Sequence, residues 1–183
     1  TDPFIVLPFD EINATLSATE LNDCFGDTDG ELELIITDYV GTYTYQLLDV
    51  SGIPIGAPVV ANTSTNPQLI TGLASGNYSI EIVETETPFC TSTSNVVTIG
   101  SPATPLVLDV LETSNVTCNN NLGEITAIAN GGTSPYEYEL TGAVTIPYSA
   151  NNMFTGLSAG TYTVNTRDGN GCIETGTISD RKS

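Results

Sequence analysis

The chain has 183 residues, with 22 acidic residues, three basic residues and no histidine, which gives a formal net charge of −19. Such a surface repels phosphate backbones and anionic lipid head groups, so the composition argues against nucleic acid and membrane-surface partners. The acids are dispersed and 39% of the residues are hydrophobic, which favours a folded chain over a disordered acidic tail. No apolar run reaches the length of a membrane-spanning helix, so we expect no membrane insertion.

In the first half of the chain, apolar and polar residues alternate in short runs that predict β-strands. Residues 1–11 are a lead-in that lacks the basic start and apolar core of a signal peptide, and we expect the sequence to be an internal piece of a larger exported protein. The strands are predicted at 12–20, 31–37, 43–47, a short segment near Val59 after a break at Pro54 and Pro58, 77–84 and 94–99.

The strand predicted at 77–84 belongs to an eleven-residue stretch that the chain contains twice. Residues 70–80 read ITGLASGNYSI and residues 154–164 read FTGLSAGTYTV. We expect the leucine to hold a loop on the core, the second glycine to take a positive φ, and the tyrosine to begin a half-buried strand. These positions are Leu73, Gly76 and Tyr78 in the first copy, and Leu157, Gly160 and Tyr162 in the second. An internal repeat of this kind predicts two similar domains.

A linker with two prolines, residues 101–105, separates the copies, and the second copy repeats the order of the first. Its strands are predicted at 106–112, 123–129, 136–140, 143–148, 161–167 and 173–178. We therefore predict an all-β protein of two tandem immunoglobulin-like antiparallel β-sandwich domains, at residues 12–100 and 106–180.

Each copy contains two cysteines in matching places, Cys24 and Cys90 in the first and Cys118 and Cys172 in the second. Four cysteines allow three pairings, and the repeat predicts Cys24–Cys90 with Cys118–Cys172, one disulfide in each domain. Free buried thiols and a zinc site are the alternatives, although zinc is disfavoured because histidine and a Cys-x-x-Cys motif are both missing. Disulfides would place the protein in an oxidising compartment, outside the cytoplasm.

The second copy also carries a series of separated motifs, which in order are Cys118, Gly-Glu-Ile at 123–125, GGTSPYEY at 131–138, the shared stretch at 154–164 and DGNGC at 168–172. Together they resemble the SprB-type repeat of large surface adhesins in gliding Bacteroidetes. The first copy resembles it less, since it has residues 39–42 in place of the Gly-Gly-x-x-Pro turn.

The resemblance implies a long, exported, repetitive filament that reaches the cell surface by type IX secretion. It would act without catalysis as an adhesin in surface attachment or gliding motility, with neighbouring repeats of the same chain and a surface glycan or polysaccharide as partners. The alternative function is a carbohydrate- or ligand-binding module of a secreted protein, in which exposed tyrosines such as Tyr39 or Tyr148 stack on sugars.

Two clusters of oxygen-bearing side chains are candidate calcium ligands, and calcium is the only cofactor that the sequence raises. They are Asp27, Asp29 and Glu31 in the first copy, and Asp168 and Asn170 in the second. Plain Asp-Gly turns explain the same residues, and the loop at 119–123 that matches the first cluster has no acids.

Catalytic motifs are missing from the sequence, which has no histidine, no nucleophile elbow and no phosphate-binding glycine loop. A pair of carboxylates could in principle cleave glycosides, but the acids are scattered along the strands. We therefore expect no enzyme.

Overall fold

The computed structural model describes residues 11–87, 89–114 and 122–179. Contacts divide the chain into two units, of which the first takes residues up to Asn22 and Asp27–Gly100, and the second takes Asp23–Gly26 and Ser101–Ser183. About 60% of the chain is β-strand, and the described part holds one short 3-10 turn, Thr63–Thr65, but no α-helix. In that part, no helix is long and apolar enough to span a membrane.

The described residues of the first unit form eight strands. They are β1 (Asn13–Glu20), β2 (Gly30–Thr37), β3 (Thr42–Leu48), β4 (Pro54–Asn62), β5 (Gln68–Leu73), β6 (Gly76–Glu84), β7 (Thr91–Thr93) and β8 (Val97–Ile99). One sheet has the order β1-β2-β5, and the other has the order β4-β3-β6-β7 with β8 also paired to β6. All of these pairings are antiparallel.

The core of the first unit follows from strict alternation in the central strands. Leu32, Leu34 and Ile36 of β2 are buried, and they belong to the same apolar cluster as Ile80 and Ile82 of β6 in the other sheet. Because successive side chains of a strand point to opposite faces, these alternating residues line the inner faces of two sheets. Two facing antiparallel sheets with strands that cross from one to the other form an immunoglobulin-like sandwich, as predicted.

Strand β4 is longer than predicted and contains both prolines that were expected to break the chain. Pro54 pairs with Leu48, and the strand continues through Pro58 to Asn62 with a register shift in between. Strand β4 is at the edge of its sheet, where a proline without an N–H group is tolerated. The prediction of a short strand near Val59 was therefore wrong in length.

The strand predicted at 94–99 is shorter in the structure, where only Val97–Ile99 forms β8, and Ser94 and Asn95 lie in the break between β7 and β8. The Ser94 Oγ accepts a hydrogen bond from the Ile80 N–H at 2.9 Å. The Asn95 side chain accepts from the Leu16 N–H at 2.9 Å and donates to the Leu16 carbonyl at 2.8 Å. An asparagine side chain thus replaces a stretch of backbone pairing next to β1.

The second unit repeats this topology, with seven strands in the part that the structure describes. They are β9 (Val107–Ser114), β10 (Gly123–Asn130), β11 (Glu137–Thr141), β12 (Ile146–Ser149), β13 (Met153–Leu157), β14 (Thr161–Arg167) and β15 (Ile173–Ser179). The sheet orders are β13-β10-β9 and β12-β11-β14-β15. Ile125, Phe154, Leu157, Tyr162 and Val164 are buried in its core.

The stretch shared by the two copies connects the two sheets of each unit and ends in the same hydrogen bond. The Tyr78 hydroxyl donates to the Ala74 carbonyl at 2.8 Å, and the Tyr162 hydroxyl donates to the Ser158 carbonyl at 2.8 Å. Immunoglobulin-like domains have such a bond, called a tyrosine corner, where a tyrosine at the start of one strand ties down the preceding corner. Leu73 and Leu157 are buried beside it.

The glycines of the shared stretch do not have the conformations that were predicted. Positive φ values occur at the first glycine, +79° at Gly72 and +75° at Gly156, and not at Gly76 or Gly160. A Cβ at Gly76 would lie 3.5 Å from the Tyr78 ring, and a Cβ at Gly160 would lie 3.9 Å from the Tyr162 ring. The second glycine thus lies beneath the tyrosine. The first one lies within β5 or β13, where the pairing with the neighbouring strand has a bulge.

The observed disulfide joins Cys24 to Cys172, with a Cα–Cα distance of 5.7 Å. The predicted pairs Cys24–Cys90 and Cys118–Cys172 are therefore wrong. The reason is that residues 23–26 belong to the second unit, although they precede β2 of the first unit in sequence, and so Cys24 lies beside the turn that carries Cys172. Cys90 has a free, half-buried thiol, and Cys118 lies outside the described residues.

Candidate functional site

The most organised polar group of the second unit is the carboxylate of Asp168, at the end of β14. The side chain is only 5% exposed, and its two oxygens accept three backbone hydrogen bonds. Oδ1 accepts from the N–H groups of Asn170 at 3.0 Å and Cys172 at 2.9 Å, while Oδ2 accepts from that of Thr133 at 2.8 Å. Asp168 therefore ties the β14–β15 turn to the β10–β11 loop.

The glycines of the β10–β11 loop make room for this carboxylate. Gly132 has a φ of +56°, and a Cβ there would overlap Asp168 Oδ2. The next residue, Thr133, accepts a hydrogen bond at its carbonyl from the Gly169 N–H at 2.6 Å. The Gly-Gly-Thr and Asp-Gly-Asn-Gly-Cys motifs are thus two sides of one junction.

The first unit has a related arrangement at Glu84, the last residue of β6. Glu84 is 4% exposed, and its Oε2 accepts a hydrogen bond from the Cys90 N–H at 3.3 Å. The Glu84 N–H donates to the Cys90 carbonyl at 3.0 Å, as the Asp168 N–H donates to the Cys172 carbonyl at 3.0 Å. Sequence reasoning missed this role, and the signal was the spacing, since Glu84 and Asp168 each follow the shared tyrosine by six positions.

The two groups of candidate calcium ligands belong to different units. Asp27 and Asp29 are exposed and Glu31 lies on β2 in the first unit, while Asp168 and Asn170 belong to the second. Asn170 uses its side-chain amide to donate to the Asp23 carbonyl at 2.8 Å. Within residues 11–87, 89–114 and 122–179, no three acidic, cysteine or histidine side chains are grouped so as to hold a metal ion.

The tyrosines proposed as sugar platforms are only partly accessible. Tyr39 packs against the first core, and its hydroxyl donates to the Thr42 carbonyl at 2.9 Å. Burial, followed by the charges of Glu84 and Glu86, raises the pKa of the Tyr39 hydroxyl. The guanidinium of Arg167 lies 4.5 Å above the centre of the Tyr148 ring. Both tyrosines are therefore half-buried.

An open groove of about 480 Å³ lies beside the Asp168 turn in the second unit. It is lined by Pro135, Glu137, Arg167 and residues 168–171. The Arg167 guanidinium and the Glu137 carboxylate form an ion pair across 2.6 Å on its wall. Because both partners are well exposed, this pair contributes little to stability, and its polar atoms are available to a ligand.

The comparison with protein families finds the SprB repeat twice, at residues 17–52 and 110–145. The two matches together cover less than half of the chain. Each match begins within the first strand of a unit and ends just after the third, so the matches occupy equivalent places. The shared tyrosine stretch and the Asp168 turn lie outside them.

Among solved structures, the chain is similar to a segment of two fibronectin type III domains from chicken tenascin, with 15% identity, a TM-score of 0.34 and coverage of 91% of this chain and 99% of that one. It is also similar to a tetra-tandem repeat in the extending region of a large adhesion protein, with 14% identity, a TM-score of 0.33 and coverage of 91% and 48%. No curated protein matches the chain.

Proposed function

We propose that this chain is a non-enzymatic structural segment of a large exported adhesin, in which its repeats hold the adhesive part away from the cell during surface attachment or gliding. The observation that carries the proposal is the SprB repeat, which occurs once in each of two sandwiches of the same topology. Export by type IX secretion and an extracellular location belong to the same proposal. Its partners are neighbouring repeats, and it needs no cofactor.

The use of the buried polar groups supports a structural role. Glu84 and Asp168 accept backbone hydrogen bonds that close a turn in each unit, and the buried Gln46 side chain donates to the carbonyls of Leu47 and Ile55. Buried carboxylates and amides that bond to their own backbone serve the fold. The disulfide agrees with export, because such bonds persist in oxidising compartments.

The test replaces this segment, within the full-length protein, by two immunoglobulin-like domains of unrelated sequence. We expect deletion of the segment to weaken attachment of cells to a surface and the replacement to restore it, because a spacer contributes length alone. Equal surface display of all three proteins, measured with an antibody to another part, is the control. Attachment that the replacement fails to restore would contradict the proposal.

The second candidate function is a glycan-binding module, and the groove beside Arg167 is the observation that favours it. Its volume falls within the usual range of ligand sites, and Arg167, Glu137 and Asn170 offer polar atoms to a sugar. A glycan array probed with the purified chain tests this function. Specific binding that is lost in Arg167→Ala and kept in a variant of an acid away from the groove, Asp109→Asn, would favour the module over the spacer.

A further inference from the structure

The carboxylate–cysteine arrangement makes Cys90 and Cys172 counterparts. Each cysteine follows the strand that begins with the shared tyrosine, and each donates its N–H to the buried carboxylate at the end of that strand, Glu84 or Asp168. The turn between them is two residues longer in the first unit. The two cysteines therefore have equivalent backbone positions in the two repeats.

Only one of the two side chains has a disulfide partner among the described residues. Cys172 is bonded to Cys24, and Cys24 lies in the connection between the first two strands of the repeat that comes earlier in the sequence. Residues 23–26 are thereby part of the second unit, where the Asp23 carbonyl also accepts the Asn170 amide. The Cys90 thiol is half-buried and free.

We propose that Cys90 forms a disulfide with a cysteine that lies in the β1–β2 connection of another repeat of this type, as Cys172 does with Cys24. In each repeat, the cysteine between the first two strands is then bonded to the following repeat, and the cysteine after the tyrosine strand is bonded to the preceding repeat. The choice of partner rests on the proposed function, because it assumes neighbouring repeats. By sequence, Cys118 is the counterpart of Cys24 in the second repeat, although it lies outside the described residues.

The chemistry is the oxidation of two thiols. The two cysteines release two protons and two electrons as the S–S bond forms, and glutathione disulfide takes them up and leaves as two reduced thiols. Burial, followed by the charge of Glu84, raises the pKa of the Cys90 thiol. Since the thiolate is the reactive form, we expect the bond to form slowly at neutral pH and faster in mild alkali.

The test uses the whole chain with a second copy of residues 1–105 placed before Thr1. In this extended protein, Cys90 of the added copy and Cys118 are both changed to serine, and Phe25→Tyr in the added copy serves as a mass label. After refolding with a glutathione mixture, the free thiols are counted by alkylation under denaturing conditions, and the disulfides are mapped without reduction.

The proposal predicts no free thiol, with the added Cys24 bonded to Cys90 of the original chain and the original Cys24 still bonded to Cys172. Free thiols, or a labelled Cys24 bonded to Cys172, would overturn it. A matched variant with Cys24→Ser in the added copy should expose one thiol, at Cys90, and unfold at a lower temperature. The thiol count does not depend on attachment, so a failure here leaves the proposed function untouched.

Discussion

At the scale of single residues, the two units differ in the hydrogen bonding of two equivalent tyrosine hydroxyls, those of Tyr43 and Tyr136. In the second unit, the Tyr136 hydroxyl donates to the Gly131 carbonyl at 2.6 Å. Its counterpart Tyr43 is fully buried, and its hydroxyl has no hydrogen-bond partner among the described residues. The first repeat has residues 39–42 in place of the glycine turn that supplies the carbonyl in the second. A buried hydroxyl without a partner costs free energy of folding.

We therefore expect Tyr43→Phe to raise the free energy of unfolding of the first unit by about 1 kcal/mol, because it removes that hydroxyl. Tyr78→Phe in the same unit should lower it by about 1 kcal/mol, because it removes the bond to the Ala74 carbonyl. Urea denaturation followed by circular dichroism measures both, since the chain has no tryptophan. A loss of stability in Tyr43→Phe would show that the hydroxyl is bonded in the protein.

At the scale of elements, one carboxylate holds together two connections that are far apart in sequence. Asp168 bonds to backbone N–H groups of both the β10–β11 loop and the β14–β15 turn, and Gly132 leaves the space for it. Hydrogen bonds to a charged, buried acceptor are stronger than those between neutral groups. We infer that this junction fixes the position of Cys172 for its disulfide.

Asp168→Ala is expected to lower the free energy of unfolding of the second unit by about 3 kcal/mol, because three N–H groups lose their acceptor. Asp168→Asn should cost less, since an amide oxygen still accepts on one side. Asp109→Asn, which removes the charge of an exposed acid on β9, is the matched control and should change stability little. If Asp168→Asn changed stability no more than Asp109→Asn does, the hydrogen bonds to the Asp168 carboxylate would not contribute as proposed.

At the scale of the whole molecule, a single described disulfide accompanies a large excess of negative charge. The disulfide closes a sequence separation of 148 residues, and long loops gain the most from closure on the chain-entropy account. The net charge of −19 keeps copies of the chain apart through mutual repulsion. The candidate acids are scattered, so we propose that they provide solubility and do not bind a structural ion.

We expect reductant, or Cys24→Ser, to destabilise the second unit by roughly 2–5 kcal/mol and chelator to leave the melting temperature unchanged. Cys90→Ser is the control, because that thiol forms no disulfide here.

Trypsin provides a direct check of the pairing, since cleavage after Arg167 leaves Cys172 attached through its disulfide. Cys24→Ser should release that fragment and Cys118→Ser should not. In the melting experiment, a lower melting temperature in the presence of chelator would indicate a bound ion and contradict the proposal that the acids provide only solubility.

The strands, the two-sheet class and the repeat follow from the sequence, because alternation and spacing are local properties. The run Tyr78, Ile80 and Ile82 is buried on one face whatever the partner strand. Residues with two local explanations were harder to interpret. Pro54 and Pro58 are compatible with a break or with an edge strand, and only the sheet order decides between them.

Tertiary structure alone decided the disulfide and the accessibility of the tyrosines. Cysteine spacing shows that the copies are equivalent, but the bond depends on which residues lie about 6 Å apart between Cα atoms. Cys24 and Cys172 meet this condition because residues 23–26 belong to the second unit. Likewise, the cover of Arg167 over Tyr148 depends on the pairing of three strands. Sequence determines what is local and periodic, whereas packing determines which distant side chains meet.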